Sequence, residues 1–154
     1  MKRRTFLKGT IASSIAGAAV SAGLLTPRLV LAEWPKTSFD ATSVTDSLNS
    51  LLGSDSHSPN SDITIKAPDI AENGAVVPIT VTTNLPNIES ITVIVEKNPS
   101  PLAANFRLAS NTEGFVSTRV KMGKTSDLIA VVKSGGKLLS AKKTVKVTIG
   151  GCGG

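Results

Sequence analysis

One cysteine, Cys152, lies between two pairs of glycines at the end of the chain: Gly150-Gly151-Cys152-Gly153-Gly154. A thiol can be a nucleophile, a redox group or a point of covalent attachment, and its neighbours decide which. Glycine has no side chain to pack and gives up the most backbone freedom on ordering. The pentapeptide therefore adds almost nothing to a core. What it supplies is a sulfur on a thin, flexible tether. Three extended residues past Ile149 carry that sulfur roughly 10 Å outward. Without side chains on either flank, the arm can enter a narrow cleft on another protein. Such a composition suits a group carrier that presents one reactive atom to partner enzymes.

A catalytic thiol would be poorly served by this setting. An exposed thiol titrates near pH 8.5, so only about a few per cent is thiolate at neutral pH. Catalytic cysteines occupy electropositive, partly enclosed sites, and the tail holds no basic residue. Nor does the sequence carry a His beside a Ser or Cys, a glycine-rich phosphate loop or a paired metal motif. His57, the single histidine, sits in the polar stretch Ser54-Asp55-Ser56-His57-Ser58-Pro59-Asn60-Ser61. It reads as a solvated loop residue, because one His without Cys or carboxylate neighbours at ligand spacing is no metal site. No cofactor and no metal are expected. The alternative use of an odd cysteine in an exported chain is an intermolecular disulfide. Cys152 would then join an interaction module to its partner.

Export is indicated at the other end. Lys2-Arg3-Arg4-Thr5-Phe6-Leu7-Lys8 is a basic segment with a twin-arginine pair, Arg3 and Arg4. A weakly apolar run from Ile11 to Leu25 follows, then Val30-Leu31-Ala32, suited to cleavage after Ala32. The run is too short and too poor in large aliphatics for a span, which needs about 20 apolar residues. Residues 1–32 are thus expected to be a signal for the periplasm rather than a membrane insertion. That segment holds five of the 17 basic residues and none of the 11 acidic ones. The formal charge of +6 therefore belongs mostly to the signal, and the remainder is nearly neutral. Nucleic-acid binding wants a basic stripe with stacking aromatics. Beyond residue 32 the aromatics are only Trp34, Phe39, Phe106 and Phe115.

The 122 residues after the signal suit one domain. Residues 33–61 read as linker, short helix and loop. Val44, Leu48, Leu51 and Leu52 recur at helical spacing, Gly53 is a natural stop, and Asp40, Thr42 or Ser43 can cap the start. From 62 to 149 the pattern changes to short alternating strands. They centre on Ile63–Ile65, Val77–Val81, Ile91–Val95, Leu102–Leu108, Phe115–Met122, Leu128–Val132 and Val145–Ile149. Asn73-Gly74, Leu85-Pro86-Asn87, Asn98-Pro99-Ser100-Pro101, Gly123 and Gly135-Gly136 punctuate them. This predicts an all-β, immunoglobulin-like antiparallel β-sandwich with a short N-terminal helix outside it and residues 150–154 as a swinging arm. Asn73-Gly74 is expected to form a tight hairpin turn with positive φ. The strands at Ile91–Val95 and Leu128–Val132 are apolar on both faces. One helix accounts for one of them. The other, through Ile129 and Val131 or through Ile94, is expected to need a partner subunit.

Several blocks carry a resemblance. They are Ala71-Glu72-Asn73-Gly74-Ala75-Val76-Val77-Pro78, Glu96-Lys97-Asn98-Pro99 with Pro101-Leu102-Ala103-Ala104, Thr118-Arg119-Val120-Lys121-Met122, and the ending Gly150–Gly154. With the twin-arginine signal, they make residues 38–154 resemble the SoxY family, sulfur carriers of periplasmic thiosulfate oxidation. The resemblance implies a heterodimer with a SoxZ-like subunit and handling by haem-containing, hydrolase and dehydrogenase components of the Sox system. A haem enzyme would join thiosulfate to Cys152, and a hydrolase would release sulfate. Gly150, Gly151, Gly153 and Gly154 would be the arm. The chain itself would be no enzyme.

The export reading has a direct check. Replacing Arg3 and Arg4 by lysine together is expected to leave full-length precursor in the cytoplasm, seen by fractionation and blotting. Normal export of the double variant would exclude the twin-arginine route.

Overall fold

The structure is a computed structural model and describes residues 35–148. Alternation of apolar and polar residues is resolved into two sheets. The larger runs in the order β1 (Ser58–Pro59), β9 (Lys137–Val147), β8 (Ser126–Ser134), β5 (Ile88–Val95) and β6 (Leu102–Arg107), with β3 (Ile70–Ala71) also paired to β9. The smaller is β2 (Ile63–Lys66), β4 (Val77–Thr83) and β7 (Phe115–Val120). The β8–β9, β5–β8, β5–β6, β2–β4 and β4–β7 pairs are antiparallel. The two-residue strands β1 and β3 add parallel pairings to β9. This is the expected all-β sandwich.

Its core follows from the period of two. On β5, Ile91, Val93 and Val95 face the smaller sheet; on β8, Leu128, Ala130 and Val132 do the same. Val77, Ile79 and Val81 of β4 meet them, together with Val116, Val120 and Met122. Each fully buried aliphatic side chain of this kind contributes about 1.5–3 kcal/mol.

The opposite faces of β5 and β8 belong to a second cluster. Leu48 of the helix packs on Ile94, Leu102, Ile129 and Val131, with Phe39, Val44, Leu51 and Leu52 around them. Two helices form this outer layer: α1 (Lys36–Asp40) and α2 (Val44–Leu52). The start of α2 is fixed by Ser43, whose hydroxyl accepts from the Asp46 amide at 3.0 Å. Its end is fixed by Gly53 at φ 81°, whose amide donates to the Asn49 carbonyl at 3.0 Å. Ser38 of α1, fully buried, donates to Ser50 Oγ at 2.9 Å and ties the two helices together.

Two expectations are corrected here. The outer faces of β5 and β8 do not need a partner. The strands are neighbours, with Ile94 opposite Ile129 and Thr92 opposite Val131, so one helix covers both. Ile94 and Val131 are fully buried within the chain. The second correction concerns Asn73-Gly74. Neither residue has positive φ, and the segment links β3 to β4 in different sheets rather than closing a hairpin. Asn73 instead makes a local side-chain turn, its Oδ1 accepting from the Ala75 amide at 2.9 Å. Gly74 is required by close approach: a Cβ there would lie 2.3 Å from the Met122 carbonyl oxygen and 2.8 Å from Val147 Cγ1. The hairpin chemistry appears at Gly135-Gly136, both at positive φ, between Ser134 and Lys137.

Leu48→Ala is expected to lower the unfolding free energy by about 2–4 kcal/mol, because it empties the centre of the outer cluster. Urea denaturation measures this. An unchanged midpoint would mean that α2 adds no stability to the sandwich.

Candidate functional site

Cys152, Gly150, Gly151, Gly153, Gly154, Arg3 and Arg4 all lie outside the described residues, as does Ile149. The described part of the site is the end of β9, from which the tail departs after Thr148.

That end is fastened on two sides. On one, β3 pairs in parallel, with Ala71 opposite Val147. The Lys146 amide donates to the Asp69 carbonyl at 2.9 Å, and the Thr148 amide to the Ala71 carbonyl at 3.1 Å. On the other, the Val147 amide donates to Thr125 Oγ1 at 3.0 Å. Backbone bonds leave Thr148 little freedom to move, so the origin of the tail is set by the sheet. From Thr148 to Cys152 the chain spans at most about 14 Å.

The sequence blocks that carry the family resemblance meet at this end. The Met122 amide donates to the Gly74 carbonyl at 2.7 Å, bringing the third block against the first. Asn98 joins the second block to the third. Its Nδ2 donates to the Lys121 carbonyl at 2.7 Å, and its Oδ1 accepts from the Gly123 amide at 3.1 Å. Ser126 Oγ accepts from the Lys97 amide at 3.0 Å. Sequence reasoning treated these stretches as turns and strand ends. Their common role is to build the platform around the last strand.

Beside the platform is an open groove of about 550 Å³, lined by Lys97, Gly123, Lys124, Thr125 and Val147. Two cations and no carboxylate line it. Neither lysine makes a salt bridge among the described residues. Nearby, Asp127 is already engaged: Lys142 Nζ lies 2.7 Å from its Oδ2 and Thr144 Oγ1 donates to its Oδ1. The hydrogen bond from Lys142, then that from Thr144, holds the Asp127 carboxyl below the usual range and raises Lys142 in turn. Asp69 faces Lys143 at 3.1 Å.

His57 differs from its expected solvated state. It is half-buried, and its Nδ1 lies 2.8 Å from Ser140 Oγ, beside the β1–β9 pairing. Its part is structural. Among the described residues no group of three His, Cys, Asp or Glu side chains could hold a metal, and no helix is long and apolar enough to cross a membrane.

Comparison with known proteins now decides the family. The family model described as Sulfur oxidation protein SoxY matches residues 48–152, from the buried Leu48 to Cys152. The chain belongs to the SoxY family. The solved sulfur carrier protein SoxY from Chlorobium limicola f thiosulfatophilum is 40% identical, with a TM-score of 0.64 over 75% of this chain and 100% of that one. Membership gives the chain a role in sulfur oxidation. A superoxide reductase (neelaredoxin) from Ignicoccus hospitalis is 21% identical, with a TM-score of 0.50 over 56% of this chain and 80% of that one. This second likeness concerns the fold alone. No curated protein sequence matches the chain.

The platform's ion pair gives a pH test. A carboxyl whose pKa is lowered on folding stabilises the fold above its unfolded value, near 4. That contribution is lost as the pH falls through the lowered folded value. Asp127→Asn is therefore expected to cost about 0.5–1 kcal/mol at neutral pH, Lys142 being half exposed to solvent. The deficit should vanish in acid. Urea titrations across a pH series check this; a deficit that persists at low pH would mean that Asp127 acts through shape.

Proposed function

We propose that this SoxY-family chain is a covalent carrier of sulfur intermediates in thiosulfate oxidation, with Cys152 as the attachment point. The observation that carries the reading is the family match running through Cys152. The fixed strand end four residues before it and the glycines on both sides support it. The balanced chemistry needs only a thiol from the carrier. Thiosulfate and the Cys152 thiol join to give a Cys–S–S–sulfonate, releasing one proton and passing two electrons to a haem-containing enzyme. Water then attacks the terminal sulfonate sulfur in a hydrolase, releasing hydrogen sulfate and leaving a persulfide on Cys152. A dehydrogenase component takes that remaining sulfur further. All redox and hydrolytic machinery resides in the clients. The carrier contributes reach, a small cross-section and one sulfur.

The reading includes export to the periplasm by the twin-arginine route, through Arg3 and Arg4, and a heterodimer with a SoxZ-like subunit. Since the outer faces of β5 and β8 are occupied by α2, that partner would use another surface. A lone cysteine in an oxidising compartment also supports a second reading, an intermolecular disulfide through Cys152.

Intact mass separates the two. Incubation with thiosulfate and the Sox enzymes is expected to add a thiosulfonate to Cys152, and Cys152→Ser should abolish both the adduct and thiosulfate-dependent electron release with the fold intact. A disulfide-linked species with no sulfur adduct would favour the linker. Full pathway activity in Cys152→Ser would refute the carrier.

A further inference from the structure

We propose that the outer face of the smaller sheet is a docking surface for the acidic surface of a client enzyme. The inference rests on the carrier reading above and adds which face of the carrier a client meets.

The face follows from the period of two. Ile63 and Ile65 of β2, Ile79 and Val81 of β4, and Val116 and Val120 of β7 belong to the core. Their alternates Thr64, Lys66, Thr80, Thr82, Ser117 and Arg119 therefore stand on the other side. The helical layer packs on the larger sheet, and Thr64, Lys66, Ser117 and Arg119 are exposed.

Charge is sorted along this face. β2 and β7 are both antiparallel to β4, so they run the same way. Each starts shortly after an acid, Asp62 or Glu113, and approaches its end with a cation, Lys66 or Arg119, with Lys121 just past β7. Lys66 is opposite Thr80, and Arg119 is opposite Pro78. Two strand spacings across and one pair along put their Cα atoms roughly 12 Å apart. No carboxylate lies on the three strands. Among the described residues, none of Lys66, Arg119 and Lys121 makes an ion pair. Charged residues on edge strands discourage aggregation, but that role is served at either end. It does not call for acids at one end and cations at the other. Sorting of this kind orients an approaching charged surface.

The cationic end is the end from which the tail leaves. Lys121 leads into Met122, whose amide donates to the Gly74 carbonyl, and Gly74 lies against Val147. An acidic surface drawn to these cations is brought to the end of the sandwich where the tail is rooted.

Composition selects the kind of partner. Permanent interfaces are apolar at their centre. On these three strands only Pro78 and Phe115 are apolar and exposed. Hydroxyls and unpaired cations suit a brief encounter, in which complementary charge speeds association more than it holds the complex. A carrier that serves several clients needs such an encounter. An open depression of about 500 Å³, lined by Pro78, Ser117, Thr118 and Arg119, seats an incoming carboxylate side chain beside the guanidinium.

The test uses the carrier with its partner subunit, loaded without any enzyme. The Cys152 thiolate attacks a central sulfur of tetrathionate, forming Cys–S–S–sulfonate and releasing thiosulfate. The hydrolase component of the Sox system is the probe, and sulfate release is the readout. Lys66→Gln with Arg119→Gln is expected to lower kcat/KM about tenfold at low salt, through KM, with kcat unchanged. Added salt should remove the difference. Arg107→Gln with Lys137→Gln removes the same charge at the far end of the sandwich and is expected to leave kcat/KM unchanged. All four positions are exposed, and circular dichroism verifies the fold. A chain that takes up no adduct, or an adduct from which no sulfate is released, would refute the carrier reading itself. Equal turnover of the Lys66→Gln, Arg119→Gln variant at low salt overturns the docking face and leaves the carrier standing. Equal losses in the two double variants would make net charge the cause. Failure of the first variant to assemble with the partner subunit would make the face a permanent interface. Either result also overturns the proposal.

Discussion

The two-sided fastening of β9 is the constraint on which the rest depends. A carrier arm works only if its root is fixed, since any play at the root adds to uncertainty at the tip. The long strand β9 bonds along β8, then exchanges partners at its end. There the Thr125 hydroxyl takes one side and the β3 backbone the other, so that Thr148 is still bonded. Gly74 lets the β3–β4 crossing lie tight against Val147 and the Met122 carbonyl. Gly74, Asn98 and Met122, from three of the family blocks, are thus explained physically: they tie together the connections packed around one strand end.

Legibility in the sequence tracks how local each determinant is. The seven longer strands were readable because alternation is a property of a few consecutive residues, although β9 already begins at Lys137, eight residues before the expected start at Val145. The helix was readable from Ser43, Leu48 and Gly53 for the same reason. The strands β1 and β3 were not, since two residues such as Ile70-Ala71 become a strand only when β9 lies beside them. The short helix α1 gave no signal; it exists because Ser38 reaches Ser50 and Phe39 packs on the outer cluster. Asn73-Gly74 looked like a hairpin because its dipeptide chemistry fits one, but Met122 and Val147 decide its conformation. The partner-seeking face was misjudged because the adjacency of β5 and β8 is a fact of topology.

The candidate site divides along the same line. Cys152 announces itself through its glycine neighbours, whereas the groove could not be read. Lys97 and Lys124 stand on different connections and become neighbours only because Asn98 bridges those connections. In sequence they are two ordinary surface lysines. The acids that would have masked them, Asp127 and Asp69, are occupied by Lys142 and Lys143 from a single strand.

The helical lid has a consequence for the order of assembly. Leu48 of α2 is buried against Ile129 and Val131, which are synthesised long after it. The apolar underside of α2 therefore stays uncovered until β8 is made and paired. Contacts so far apart in sequence close late, after the loop entropy between them has been overcome. A chain interrupted anywhere before β8 cannot complete its outer cluster, and it keeps a sticky helix at its front. The fold thus behaves as a check on completeness: the helical layer is quiet only when β8 has arrived.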